Sequence, residues 1–176
     1  MPEAPGTPRF SFEIGRDTVL EKMPARRSSS RKGENGVVAV VGGSGIYHGA
    51  PALASLACLR SGVDLVYTAV PQLISTPIRA LSPNLIVFPL PDRKITRGAA
   101  TKLLKWLPDI HACVLGPGLG RQPSEGLVTL VRELASRKAK VLLDADALHQ
   151  EVVKEARNTA AAVSYTHLRA HETVLD

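Results

Sequence analysis

The sequence predicts a doubly wound α/β domain on a mostly parallel sheet. Three observations carry that expectation. From Val37 onward, short apolar runs alternate with segments of helix length. Several runs are continuous rather than alternating, as in strands covered on both faces. Two glycine-rich loops follow directly on such runs, at the strand ends where a parallel sheet gathers its ligands.

Residues 1–32 come first and lack sustained apolar periodicity. Their prolines, charges and the run Ser28–Ser30 read as a flexible, solvated arm. The strand candidates are then Val37–Val41, Val63–Val70, Asn84–Leu90, His111–Leu115 and Lys140–Asp144. Between and after them lie helix candidates at Ala50–Ser61, Gln72–Leu81, Arg97–Leu107, Ser124–Lys138 and Asp146–Arg157. In the fourth helix Leu127, Val128, Leu130, Val131 and Leu134 make one apolar stripe, and Ser124 is the expected N-cap. Trp106, with Leu103, Leu104 and Leu107, is expected in the core, as are Cys58 and Cys113. At least five strands are expected, with right-handed crossovers between them.

Composition narrows the function classes. The 176 residues are 44% hydrophobic and 22% charged, ordinary for a globular chain. The longest strictly apolar run, Val37–Val41, is far below the ~20 residues of a membrane span. No secretory leader is recognisable in Met1–Phe10, and two cysteines make no framework, so a cytoplasmic, reducing compartment is expected. The net charge is +6, spread over the arm and the body. Aromatic residues make up only 4%, too few for base-stacking on single strands, so an anionic small molecule is preferred over nucleic acid.

The chemistry lies in three loops. The first strand opens into Gly42-Gly43-Ser44-Gly45-Ile46-Tyr47-His48-Gly49-Ala50-Pro51, then a helix. Glycines let a ligand approach backbone N–H groups, and the helix N-terminus favours an anion. The spacing is not that of a dinucleotide fingerprint, and the Gly-Lys-Ser/Thr ending of a triphosphate loop is absent; a plain tight turn is the competing reading. The second loop is Gly116-Pro117-Gly118-Leu119-Gly120-Arg121, whose arginine either meets an anion or is a surface cation. The third is Leu142–Leu148. Here Asp144 ends a buried strand and reads as a site residue, binding magnesium through water or accepting ligand hydroxyls; helix capping is the alternative for Asp144 and Asp146 alike. His48, His111 and His149 have no metal-ligand spacing, and no metal ligand is assigned.

Taken in order, Lys32-Gly33-Glu34-Asn35-Gly36, Gly42–Pro51, Leu59–Val66, Gly116–Arg121 and Leu143–Leu148 resemble the ADP- or ATP-dependent NAD(P)H-hydrate dehydratases, a branch of the ribokinase-like fold. The resemblance covers roughly residues 10–162. It implies that the ring hydroxyl of hydrated NADH or NADPH is phosphorylated by ADP or ATP, with Mg2+, and that phosphate then leaves to restore the cofactor. Glycine-loop amides suit the charge developing on that leaving group. By resemblance Gly43, Ser44, Tyr47, Gly49, Ala50, Gly116 and Gly118 line the hydrated-cofactor pocket, with Asp144 at its edge.

Family members continue into a Pro-His or Pro-Asn turn, a Lys-Gly nucleotide strand and a Gly-Asp loop whose aspartate is the expected base. None of these follows Leu148 here, so the catalytic base is unassigned. Residues 33–163 therefore read as a truncated part of the domain, and 164–176, Ser164-Tyr165-Thr166-His167-Leu168-Arg169-Ala170-His171 onward, as a non-native tail. An inactive, marginally stable fragment is the expectation. An inert cofactor-binding fragment and a sugar or hydroxymethylpyrimidine kinase of the same fold are the alternatives. Neither nucleic acid nor membrane is expected as a partner, and self-association of the intact protein is left open.

Overall fold

The computed structural model describes residues 15–23, 26–159 and 162–164. The chain divides into two compact units, residues 1–30 and 31–176. Among its described residues the first has one short helix, α1 (Arg16–Lys22), in a segment whose patterning suggested no element. Seven residues are too few to display a helical period, and Asp17 in the first turn favours the positive end of the helix dipole. Residues 1–14 of the expected arm lie outside the described residues, as does the expected tail beyond Ser164.

The second unit runs β1 (Val37–Val41), α2 (Gly49–Arg60), β2 (Leu65–Pro71), α3 (Gln72–Leu81), β3 (Leu85–Leu90), α4 (Arg97–Trp106), β4 (Ala112–Leu115), α5 (Ser124–Ser136), β5 (Lys140–Leu143), α6 (Gln150–Asn158) and β6 (Ala162–Ser164). The six strands form one sheet in the order β3-β2-β1-β4-β5-β6, every pair parallel. One core packs α4, α5 and α6 against one face; the other packs α2 and α3 against the opposite face. The sheet is doubly wound. Central β1 is buried on both sides along all five residues, hence its unbroken apolar run. Pro89 is tolerated within β3 because that strand is at the edge of the sheet.

Three local expectations are corrected. The segment Asp146–Arg157 is not one helix: a single 3₁₀ turn, Ala145–Ala147, is separated from α6 by extended backbone at His149. Ser124 is the first residue of α5 rather than its cap, and its hydroxyl donates to Glu151 on α6. Trp106 is 39% exposed, leaning on Phe88 and Tyr67 at centroid distances of 4.4 and 5.4 Å, whereas Leu103, Leu104 and Leu107 are buried. Cys113 is fully buried, which pushes its thiol up to about 12, while Cys58 is half-buried and shifted in the same direction for the same reason.

Two features away from the loops fix the frame. At the N-terminal end of the strands, the Asp64 carboxylate accepts the N–H groups of Gly33 and Asn35, at 2.9 and 3.0 Å, and the Asn35 side-chain amide. This clasp joins two of the segments that carry the family resemblance and gives them a structural purpose. Replacing Asp64 by Ala removes the carboxylate acceptor from those donors, and an unfolding titration should show a loss of about 1.5–3 kcal/mol. At the end of α5, Lys138 takes a left-handed φ of 63°, with the Lys138 N–H on Ala135 O and the Ala139 N–H on Leu134 O. Glycine is the residue that this helix ending favours. Lys138→Gly should therefore stabilise by about 1 kcal/mol and raise the melting temperature by a few degrees.

Candidate functional site

From β1 the chain winds outward through β2 to β3; it then crosses back, and β4, β5 and β6 extend the other side. The winding direction thus reverses between β1 and β4. In parallel sheets that switch point is where a crevice opens beyond the strand ends. Val41 and Leu115 are paired there, and each is followed by one of the glycine loops. Both loops open on the same edge of the sheet, as their identical placement after apolar strands suggested.

The loops also interlock. The Gly43 N–H donates to Pro117 O at 2.8 Å, and a Cβ on Gly42 would lie 2.3 Å from the same oxygen. Gly118, at φ +66°, packs on Tyr47 and Ala50, with a built Cβ 2.9 Å from Tyr47 O and 3.3 Å from Ala50 Cβ. Two glycine requirements 75 residues apart in sequence are one contact in space.

Within the first loop Ser44 works locally. Its N–H donates to Tyr47 O and its hydroxyl accepts the Tyr47 N–H, both at 3.1 Å, which closes the turn. Tyr47 is left 57% exposed at the loop tip beside Ile46. The first two residues of α2, Gly49 and Ala50, have N–H groups without a partner among the described residues, and the third, Pro51, has none to satisfy. An anion is favoured at that end. The helix is fixed by a buried polar pair that the sequence reading did not single out: Ser55 Oγ donates to Pro51 O at 2.7 Å and shares a 2.8 Å hydrogen bond with Thr68 Oγ1 on β2. A serine in a helix and a threonine in a strand carry no signal until the two elements are packed.

The second loop is gripped from outside. Gly116, at φ +130°, lies so close to β5's exit that a Cβ would be 1.8 Å from Asp144 O. The Gly120 N–H donates to Asp146 Oδ2 at 2.9 Å. Gln122, also unremarked in the sequence reading, donates from Nε2 to Leu119 O at 2.7 Å and accepts the Ile95 N–H on Oε1 at 2.8 Å. The Asp144 main chain extends the β4–β5 ladder and caps the 3₁₀ turn, but its half-buried carboxylate has no partner among the described residues. Capping by either aspartate side chain, the alternative reading, is not what the geometry shows. Arg121 is exposed and makes no ion pair among the described residues.

Among the described residues the two loops therefore offer unpartnered amides at the start of α2, an exposed aromatic side chain at Tyr47 and the carboxylate of Asp144. That is a donor set for an anionic group and for hydroxyls. Among the described residues no three acidic, histidine or cysteine side chains gather as a metal site. Asp144 alone does not build a magnesium–nucleotide site, so no step through nucleotide or Mg2+ is assigned to these residues. No helix of the described residues is long and apolar enough to cross a membrane.

Comparison with known proteins agrees with the fold. The family model for NAD(P)H-hydrate dehydratase matches residues 38–174. The ADP-dependent (S)-NAD(P)H-hydrate dehydratase of Nitrosopumilus maritimus is 52% identical over 147 residues, covering 83% of this chain and 51% of that protein. The chain thus spans about half the length of the curated relatives it matches. Among solved structures, a ribokinase-like superfamily protein from Enterococcus faecalis superposes with a TM-score of 0.64 at 18% identity, over 90% of this chain and 56% of that one. The ADP/ATP-dependent NAD(P)H-hydrate dehydratase from Bacillus subtilis, co-crystallised with ATP/Mg2+, gives 0.62 at 24% identity, over 76% and 46%. With a family model matched over residues 38–174 of its 176, the chain belongs to the NAD(P)H-hydrate dehydratase family.

Proposed function

We propose that the edge of the sheet where the two glycine loops meet holds hydrated NADH or NADPH. In a protein of the relatives' full length, that cofactor is restored by ADP- or ATP-dependent dehydration. The observation that carries the reading is the interlock of Gly43 with Pro117 at the switch point, beside the unpartnered amides of Gly49 and Ala50. Those amides suit a phosphate of the dinucleotide, and the Gly118 N–H suits an oxygen of the bound ligand. Asp144 suits a hydroxyl, of ribose or of the hydrated ring. Tyr47 offers a face for a planar ring, and Gly43, Ser44 and Gly116 shape the backbone around it. The ligand is a small molecule, and the two unpaired thiols fit a cytoplasmic setting.

The 176-residue chain itself binds without turnover on this reading. It offers no Gly-Asp loop to supply a base, help that is typically worth ~10²–10⁴ in rate. Thermal melting of the full chain tests both halves. Hydrated NADH at about a hundred times its dissociation constant adds about 2.7 kcal/mol of stability and raises the melting temperature by several degrees. ADP or ATP with Mg2+ leaves it unchanged, and no reduced-nicotinamide absorbance returns. Stabilisation by nucleotide, or recovery of that absorbance, overturns the no-turnover half; no shift with hydrated NADH overturns the binding half.

A further inference from the structure

Asp146 sits on the 3₁₀ turn after β5, yet its carboxylate reaches across to the second glycine loop, where Oδ2 accepts the Gly120 N–H at 2.9 Å. A carboxylate–amide bond is charge-assisted and roughly twice as strong as a neutral one. The turn that aims it is itself unusual: Ala145 has φ +44°, a left-handed conformation uncommon for a residue with a side chain. The loop has little stiffness of its own, because Gly116, Gly118 and Gly120 all take positive φ, at 130°, 66° and 65°. Within it the Leu119 N–H is bound to Gly116 O and the Gly120 N–H to Asp146. The Gly118 N–H is left for a ligand.

We infer that Asp146 is the positioning residue of the cleft: its carboxylate holds Gly120, and so sets the direction in which the Gly118 N–H meets the bound cofactor. The inference rests on the cleft being the hydrated-cofactor site. Asp146 touches no reacting atom. Its contribution is to keep a three-glycine loop in one shape before the ligand arrives, so that the ordering cost is not charged against binding. Asn at this position keeps an acceptor oxygen of the same reach, whereas Ala keeps nothing.

The test uses the full chain, labelled with ¹⁵N, as wild type, Asp146→Ala and Asp146→Asn. Exchange of the Gly120 amide and the dissociation constant for hydrated NADH are measured on each. In D146A, Gly120 exchange accelerates about tenfold or more while Val40 and Val114 in the central strands are unchanged, and hydrated NADH binds about tenfold more weakly. D146N restores both to within about threefold, and its Gly120 proton resonance moves upfield as the charge-assisted bond becomes neutral. If D146A does not fold, the D146N resonance shift and the protection of Gly120 in the wild type decide the matter. Unchanged Gly120 exchange in D146A, an unmoved resonance in D146N, or a freed loop with unaltered affinity overturns the inference. If wild type binds no hydrated NADH while Gly120 responds as stated, the cofactor reading fails and Asp146 remains the brace of the loop.

Discussion

Gly116→Ala costs the domain about 2–6 kcal/mol, the largest loss expected from a methyl group added at any of the described glycines. The new Cβ would lie 1.8 Å from Asp144 O and 2.7 Å from its carbonyl carbon. Both are backbone atoms on the far side of a β-ladder contact, where the Asp144 N–H is bound to Leu115 O. Relief by a rotamer change is therefore impossible. The φ of +130° adds the cost of a conformation that L-residues avoid, about 1–3 kcal/mol, and the steric shift adds a similar amount. Denaturant unfolding of the full chain measures the sum. Gly98→Ala is the control: in α4 its Cβ meets only Thr96 Oγ1 at 3.8 Å, and alanine is the better helix former, so stability should hold or rise.

Gly118→Ala separates binding from folding. Its Cβ would press on Tyr47 O and Tyr47 Cβ at 2.9 and 3.0 Å, contacts between two loops rather than within a core. The loops part by a few tenths of an ångström, and the left-handed φ of +66° costs about 1–2 kcal/mol. Affinity for hydrated NADH should fall by about a hundredfold, because the Gly118 N–H and the Gly49–Ala50 amides no longer face one ligand together. A calorimetric titration beside a melting curve separates the two effects: a large loss of affinity with a small loss of stability is the expected pattern.

Much of the sheet was legible because its strands are rich in apolar residues, with central β1 buried along all five. All five candidate strands exist, with boundaries within two residues, since short apolar stretches flanked by turn residues leave little choice. The sixth, Ala162–Ser164, is three residues long, too short for any period to show. The break between the 3₁₀ turn and α6 was hidden for a different reason: Asp146 resembles a helix cap in sequence, while in space its carboxylate answers an amide 26 residues away. The candidate site was legible only as two glycine loops after strands that prove to be neighbours. Its fastenings were not. The Gly43–Pro117, Ser55–Thr68 and Gln122–Ile95 hydrogen bonds join residues that no local pattern relates. Asp64 stood inside a recognised segment, yet its partners Gly33 and Asn35 appear only when β1 and β2 lie side by side.

Whether both loops together take the hydrated cofactor is read by adding hydrated NADH to the ¹⁵N-labelled chain and following each amide. Saturable shifts are expected at Gly45–Ala50 and at Gly118–Gly120 with one shared dissociation constant, and none at Gly33, Asn35 or Asp64 at the opposite end of the strands. Shifts confined to a single loop, two different constants, or changes centred away from the β1–β4 edge would contradict it.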